Sequence, residues 1–395
     1  MSFKTLTSLL ALGSLATAAP STMQQRSASA IRKLIVGGPN QILTADFNGT
    51  FFQITGSNVT LGATPSWLRY QAKTNTLYAV NENGANIGIY TLNNATKSDP
   101  TFVSDAAASS GVVFLEFNKD QTRMVGAGYG SGMVDVWNIE DAQSPKLLKQ
   151  ITVNGTLGPN QTGHHPHQAL LEPTGRYMIV NDLGGDQLLV LDTQDDRFEI
   201  TSTVPLFAGA GPRHGGFLHS ADGTQIYYAV ACEVSSKVIL FALDYSNAST
   251  LQFKHISTQS TYGAAFPPSN TTTAAAGALA VASNNRDVYI TNRLTGNATD
   301  SISHFIFDAS SPGLTFASAV SSRGIQPRQV SFSDDESLLF VANQGGEFGL
   351  VALSRDAESG TLDEAPVAVK PLSEVVAPGL DGQQFPGPEY VHQVN

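Results

Sequence analysis

The stretch His164–Asp192, HHPHQALLEPTGRYMIVNDLGGDQLLVLD, decides how the chain folds. It opens with three histidines in four positions, continues as an apolar run, and turns at Glu172-Pro173-Thr174-Gly175-Arg176. An apolar strand, Tyr177 to Val180, follows, then polar residues, then a further apolar strand from Gln187 to Leu191. Strand, turn, strand, loop, strand is the signature of an antiparallel hairpin unit.

Five more copies of the unit occur. They are PSWLRYQAKTNTLYAVNENGANIGIYTL from Pro65, VVFLEFNKDQTRMVGAGYGSGMVDVWNI from Val112, PRHGGFLHSADGTQIYYAVACEVSSKVILFALD from Pro212, ALAVASNNRDVYITNRLTGNATDSISHFIFD from Ala278 and PRQVSFSDDESLLFVANQGGEFGLVALSRD from Pro327. With the second strands aligned at their ends, the next residue forms a column: Glu82, Tyr129, Asp182, Glu233, Arg293, Gln344. Successive differences along it are 47, 53, 51, 60 and 51 residues. A period near 50 with several strands in each repeat predicts propeller blades. After residue 33, LIVGGPNQILTADFNGTFFQIT supplies strands with no matching first strand, and the C-terminal PEYVHQV is a lone strand. Joined, they make a seventh blade and remove the open sheet edges. The expectation is all-β: a seven-bladed β-propeller of four-stranded antiparallel blades, closed by N- and C-terminal strands in one blade.

The N-terminus, MSFKTLTSLLALGSLATAAP, has a lysine, an apolar run and an Ala16-Thr17-Ala18 site, which reads as a cleaved signal peptide over residues 1–18. A leader segment, 19–33, and a single propeller domain, 34–395, follow. The expected location is therefore extracellular, with the cell wall as one destination. Eight Asn-x-Ser/Thr sequons agree: Asn48, Asn58, Asn94, Asn154, Asn160, Asn247, Asn270 and Asn297. The single cysteine, Cys232, leaves no internal disulfide, so the core must supply stability. A net charge of −11 argues against a nucleic-acid partner and against an anionic membrane surface, and no later segment is long enough for membrane insertion. Oligomeric state is not written in the sequence.

A second column lies after the proline that opens four of the copies: Ser66, His167, Arg213, Arg328. First strands of propeller blades line the channel. The two columns therefore gather His167, Arg213, Arg328, Glu233, Asp182, Glu82 and Arg293 near one axis. Charges are seldom buried unpaired, so one reading is an ion-pair girdle of Arg213, Glu233, Arg293 and Asp182 between blades. The other is a site. On an extended strand His165 and His167 point to one side and His164 away, and arginines in the neighbouring column repel a metal ion, so zinc is not expected. His214 should face away from Arg213 and pack.

Three arginines at a channel mouth suit carboxylate or phosphate, with His167 and Glu233 available to move protons. Arg328, Asp182, Glu82, His165 and Gln344 are candidate substrate-binding residues. With no nucleophile elbow and no phosphate loop, the expected chemistry is metal-independent acid–base catalysis without a cofactor, on a small anionic carboxylate or lactone.

The segments HPHQALLEPTGRYMIVNDLGGDQLLVLD, GPRHGGF…VACE, VYITNR and QPRQVSFSDDESLLFVANQ resemble the repeated motifs of the lactonase family of seven-bladed propellers. That family includes 6-phosphogluconolactonase and the fungal carboxy-cis,cis-muconate cyclase, and the resemblance runs from about Leu34 to Val394. It implies that His167, Arg213, Glu233 and Arg293 are catalytic, the arginines holding carboxylates and stabilising developing negative charge while the histidine or the glutamate moves the proton. In the lactonase the same groups would activate water on a lactone carbonyl. One departure is Cys232, where relatives carry Asn before the glutamate. An enzyme that opens or closes a lactone is the first expectation. A secreted propeller glycoprotein with a binding or surface-display role and little or no turnover is the alternative.

Overall fold

A computed structural model describes residues 31–263, 266–380 and 382–394. Residues 1–18 and most of the leader segment, on which the signal peptide and its cleavage site were expected, lie outside the described residues.

The Glu172–Arg176 turn shows why the repeated unit folds as it does. The Glu172 carboxylate accepts from the backbone N–H groups of Thr174, Arg176 and Tyr177 at 2.8, 2.9 and 3.0 Å. Gly175 takes φ +83°, a left-handed conformation that a side chain disfavours. The turn therefore reverses the chain between Pro166–Leu171 and Tyr177–Asp182, which pair antiparallel, and Gln187–Asp192 pairs next. A polar outer strand, Glu199–Pro205, completes the blade.

The described residues form seven such four-stranded antiparallel sheets. Six follow one another in sequence, as blades 1 to 6, and their inner strands begin at Leu68, Val112, Pro166, Pro212, Ala275 and Ile325. Blade 7 takes its three outer strands from Arg32–Gly38, Gln41–Phe47 and Phe52–Val59, and its inner strand from the C-terminal Tyr390–Gln393. The closing pairs run from Leu34↔Gln393 to Gly37↔Tyr390.

Each sheet is buried on both faces, so its central strands are almost continuously apolar, and the core lies between adjoining blades. Between blades 3 and 4, Ile179, Leu188 and Val190 meet Tyr228, Val230, Ile239 and Phe241. Between blades 6 and 7, Phe340, Ala342 and Leu350 meet Leu34, Val36, Phe47 and Val391. The inner strands of successive blades lie side by side from blade 1 to blade 7, and so surround a channel.

Candidate functional site

Blades 3, 4 and 6 share a defect at the start of the inner strand. The ladder pairs Pro166 with Asp182 and Gln168 with Asn181, leaving His167 unpaired; Arg213 and Arg328 are skipped in the same way. Each is the extra residue of a β-bulge, the device by which a strand re-aims one side chain. The proline removes an N–H at the same point. Three members of the Pro-x column of the sequence, His167, Arg213 and Arg328, are therefore bulge residues directed at the channel.

Two carboxylate–arginine groups occupy the mouth. Arg213 Nε lies 2.8 Å and Arg293 Nη2 2.9 Å from Glu233 Oε2, joining blades 4 and 5. Arg328 Nη2 lies 2.5 Å from Glu82 Oε2 and its Nη1 3.4 Å from Glu389 Oε1, joining blades 6, 1 and 7. Gln344 Nε2 donates to the same Glu389 oxygen at 2.7 Å. Depth is graded: the Glu233 and Glu82 side chains are 28% and 26% exposed, whereas those of Glu389 and Arg213 are 5% and 2%.

Aromatic side chains close the channel one residue further along. Trp67 packs on Phe114 at 4.2 Å between ring centroids, and His214 meets Trp67, Phe114 and His167 edge-on at 5.6, 5.8 and 5.1 Å. His214 thus packs as expected, but beside His167 rather than away from the channel, because the bulge at Arg213 breaks strict alternation. A small cavity lies among Trp67, His167, Arg213, His214, Arg328 and Glu389.

The environment separates the titrating groups. Burial works to raise the Glu233 carboxyl, but Arg293, Arg213 and Arg328 together hold it below the usual range. Burial and then Arg213, His214, Arg328 and Arg293 push His167 well down, so its imidazole is neutral at physiological pH. Burial raises Glu389; Arg328 opposes and Glu82 adds to the rise, which reaches about 7. Glu82 holds the Arg328 guanidinium at the shorter distance, so Glu389 has the weaker claim on that cation.

The structure brings together His167, Arg213, Glu233, Arg293, Arg328, Glu82 and Gln344. Two candidates lie differently. Asp182 is the ladder partner of Pro166, whereas Cys232 and Asn343 hold that place opposite Pro212 and Pro327. The residue in register with Glu233 and Gln344 is therefore Leu183, and the column reads Glu82, Tyr129, Leu183, Glu233, Arg293, Gln344. A one-residue slip sends a side chain to the opposite face. The Asp182 carboxylate faces His164 Nδ1 at 2.7 Å and accepts from His165 N–H and Gln187 Nε2, both at 2.8 Å. It holds a loop, as the amides of Asn292 and Asn343 do in their blades, and its bonds run to that loop rather than to Arg213. His165 bonds the Tyr129 carbonyl at 2.7 Å and stacks on its ring at 4.4 Å. It supports Tyr129, whose edge faces His167 at 5.7 Å. The three imidazoles of the opening motif thus have three different partners.

Glu389 was missed. It follows Pro388, so the Pro-x column has a fifth member in the C-terminal PEYVHQV. Its recovery changes the charge at the mouth: three arginines face Glu82, Glu233 and Glu389, so the expected local positive site is balanced.

Blade 5 makes room for its arginine differently. Gly277 lies in a bulge, and a Cβ there would come within 2.3 Å of Thr291 Oγ1 and 3.0 Å of Arg293 Cδ. Gly277→Ala is expected to displace Arg293 and, if the channel turns over a substrate, to lower that turnover by roughly 10- to 100-fold, since misplacement of about 1 Å can cost that much. A steady-state assay beside a thermal melt checks this; unchanged kinetics would show that Arg293 tolerates the shift.

A closed seven-bladed ring with bulge-directed arginines and carboxylates at one mouth defines a propeller with a polar channel site. The sequence model of the family described as lactonase, seven-bladed β-propeller, matches residues 28–375. The chain belongs to that family. A fungal relative from Arthroderma benhamiae, named "Probable 6-phosphogluconolactonase", is 27% identical over 263 residues, 65% of this chain and 64% of its own length. The chain thus spans a little under two thirds of that relative. The 6-phosphogluconolactonase of Bacillus subtilis is 32% identical over 254 residues, 63% of this chain and 68% of the relative. A periplasmic gluconolactonase of Pseudomonas aeruginosa superposes with a TM-score of 0.75 at 23% identity, covering 93% of this chain and 99% of that one.

Proposed function

We propose that the protein is a lactonase that opens the ring of a small anionic sugar lactone with water. The observation that carries this reading is the convergence of Arg213, Arg293 and Arg328 on one channel mouth, in a family whose relatives include 6-phosphogluconolactonases. Arg213 Nη1 is buried without a hydrogen-bond partner among the described residues, so it has a donor free for a carbonyl oxygen as that oxygen becomes negative. Arg293 and Arg328, nearer solvent, suit the substrate's carboxylate or phosphate. The metal-independent route rests on these donors. Ring closure of a carboxymuconate is the finer alternative within the reading, since the same arginines would hold its carboxylates.

Export as a glycoprotein remains part of the proposal. It is supported by the sequons: none of the eight asparagines is buried. Among the described residues no helix is long and apolar enough to cross a membrane. One observation favours a binding or display role: every channel arginine already has a carboxylate partner, as a girdle between blades would require.

Turnover by the purified protein of glucono-δ-lactone, 6-phosphogluconolactone and carboxymuconates separates these readings. Arg213→Ala is expected to lower kcat by about 10²–10³-fold, the effect of removing one oxyanion donor. If no member of the panel turns over, the binding reading stands in place of the enzymatic one.

A further inference from the structure

We infer that Glu389, on the strand that closes the ring, exchanges the proton with the attacking water. This rests on the lactonase reading and deepens it, because the family resemblance points for that role to His167 or Glu233.

The geometry carries the assignment. Glu389 precedes the inner strand of blade 7 at the place where His167, Arg213 and Arg328 occupy theirs: each directly follows a proline and lines the same small cavity. Its backbone N–H donates to Gly37 O at 2.8 Å, fixing its position against the first strand of the chain. Oε1 takes Gln344 and Arg328, whereas Oε2 is buried with no hydrogen-bond partner among the described residues. An unpartnered buried carboxylate oxygen calls for a donor. The cavity has room for roughly one water molecule, and its walls offer that water polar partners.

The other candidates are less suited. Glu233 shares both arginines of blades 4 and 5 and is a poor proton acceptor for the same reason that it is a good anion. His167 is held neutral by burial and three arginines, which also makes it a weak base. The groups facing Glu389 are Arg328 and Gln344 of blade 6, Glu82 of blade 1, Arg213 and His214 of blade 4, and His167 of blade 3. Burial and Glu82 outweigh Arg328 and Arg213 and place the carboxyl at about 7, where one group can both take and return a proton.

The step balances without a further reactant. The water oxygen bonds to the lactone carbonyl carbon while its proton passes to Glu389 Oε2, and the carbonyl oxygen carries the negative charge towards Arg213 Nη1. Collapse breaks the bond from the carbonyl carbon to the ring oxygen, which leaves with the proton from Glu389. The product is the open hydroxy acid.

Glu389→Gln keeps the shape and the acceptor for Gln344 and Arg328. With whichever lactone of the panel is opened, corrected for spontaneous hydrolysis, wild-type kcat is expected to rise with pH through a midpoint near 7. The variant should lose at least about 100-fold in kcat with KM little changed, and lose that limb of the profile. The variant should also melt at a temperature less dependent on pH. A carboxyl whose folded pKa is raised stabilises the fold most below its unfolded value of 4.5, and that contribution is lost as pH rises through about 7. Wild type should therefore lose melting temperature relative to the variant between pH 5 and 8. An active wild type with an equally active Glu389→Gln overturns the assignment alone. A wild type inert on every lactone overturns the lactonase reading, and the assignment with it.

Discussion

Ending the chain after Pro388 is expected to abolish cooperative folding. The residues removed include Tyr390, Val391 and Val394, all at least 96% buried, and the pairing of the first strand from Leu34 to Gly37. Full burial of one large apolar side chain is worth roughly 1.5–3 kcal/mol, so three contribute about 4–9 kcal/mol. A domain's whole net stability is about 5–15 kcal/mol. The loss is of the same size as the whole, and the exposed edge of Arg32–Gly38 would invite pairing with other chains. Calorimetry should show no single transition, or one lowered far enough to be accompanied by aggregation. A truncated protein melting within a few degrees of the full chain would show that the ring holds without its closing strand.

Glu233→Ala should destabilise the protein more than Arg213→Ala, although the two residues form one ion pair. Removing Arg213 leaves Glu233 with Arg293 at 2.9 Å and with partial access to water. Removing Glu233 leaves Arg213, 2% exposed, near two other cations and without its counter-charge. An uncompensated buried charge costs roughly 3–5 kcal/mol, which for a domain of this size corresponds to a fall of about 4–7 °C in melting temperature. Acetate should partly restore Glu233→Ala by placing a carboxylate between Arg213 and Arg293, with little effect on wild type. Equal losses from the two variants, or no effect of acetate, would show that Arg213 is stabilised in some other way.

Most of the fold was legible because the repeat is written in residue types that have few alternatives. Apolar runs of strand length, turns such as Glu172–Arg176, and a period near 50 residues leave few architectures other than a propeller. The unmatched strands at the two ends led directly to the closing blade. The Pro-x column was legible for a physical reason found only in the structure: proline and bulge together aim the next side chain into the channel.

The errors have equally local causes. Aligning second strands by their apparent ends misplaced Asp182 by one residue, because Asp182 continues the polar end of its strand whereas Cys232 continues an apolar one. The register, not the composition, distinguishes a residue that faces the channel from one that pins a loop. Glu389 escaped because its strand stood alone in the sequence, with no second strand beside it to call for alignment. Its absence made the mouth look positive, and made His167 and Glu233 look like the only groups able to move a proton.

The order in which the ring is completed bears on how the protein is made. Strands of six blades can pair as they emerge, but the seventh must hold three of its strands until Tyr390–Gln393 has been synthesised. The innermost acid of the channel arrives with those residues. During synthesis the protein therefore has arginines in place, and a core largely assembled, before it has a complete channel. A chain released before Tyr390–Gln393 is made lacks the strand that closes the ring and, with it, the carboxyl that we propose as the proton acceptor.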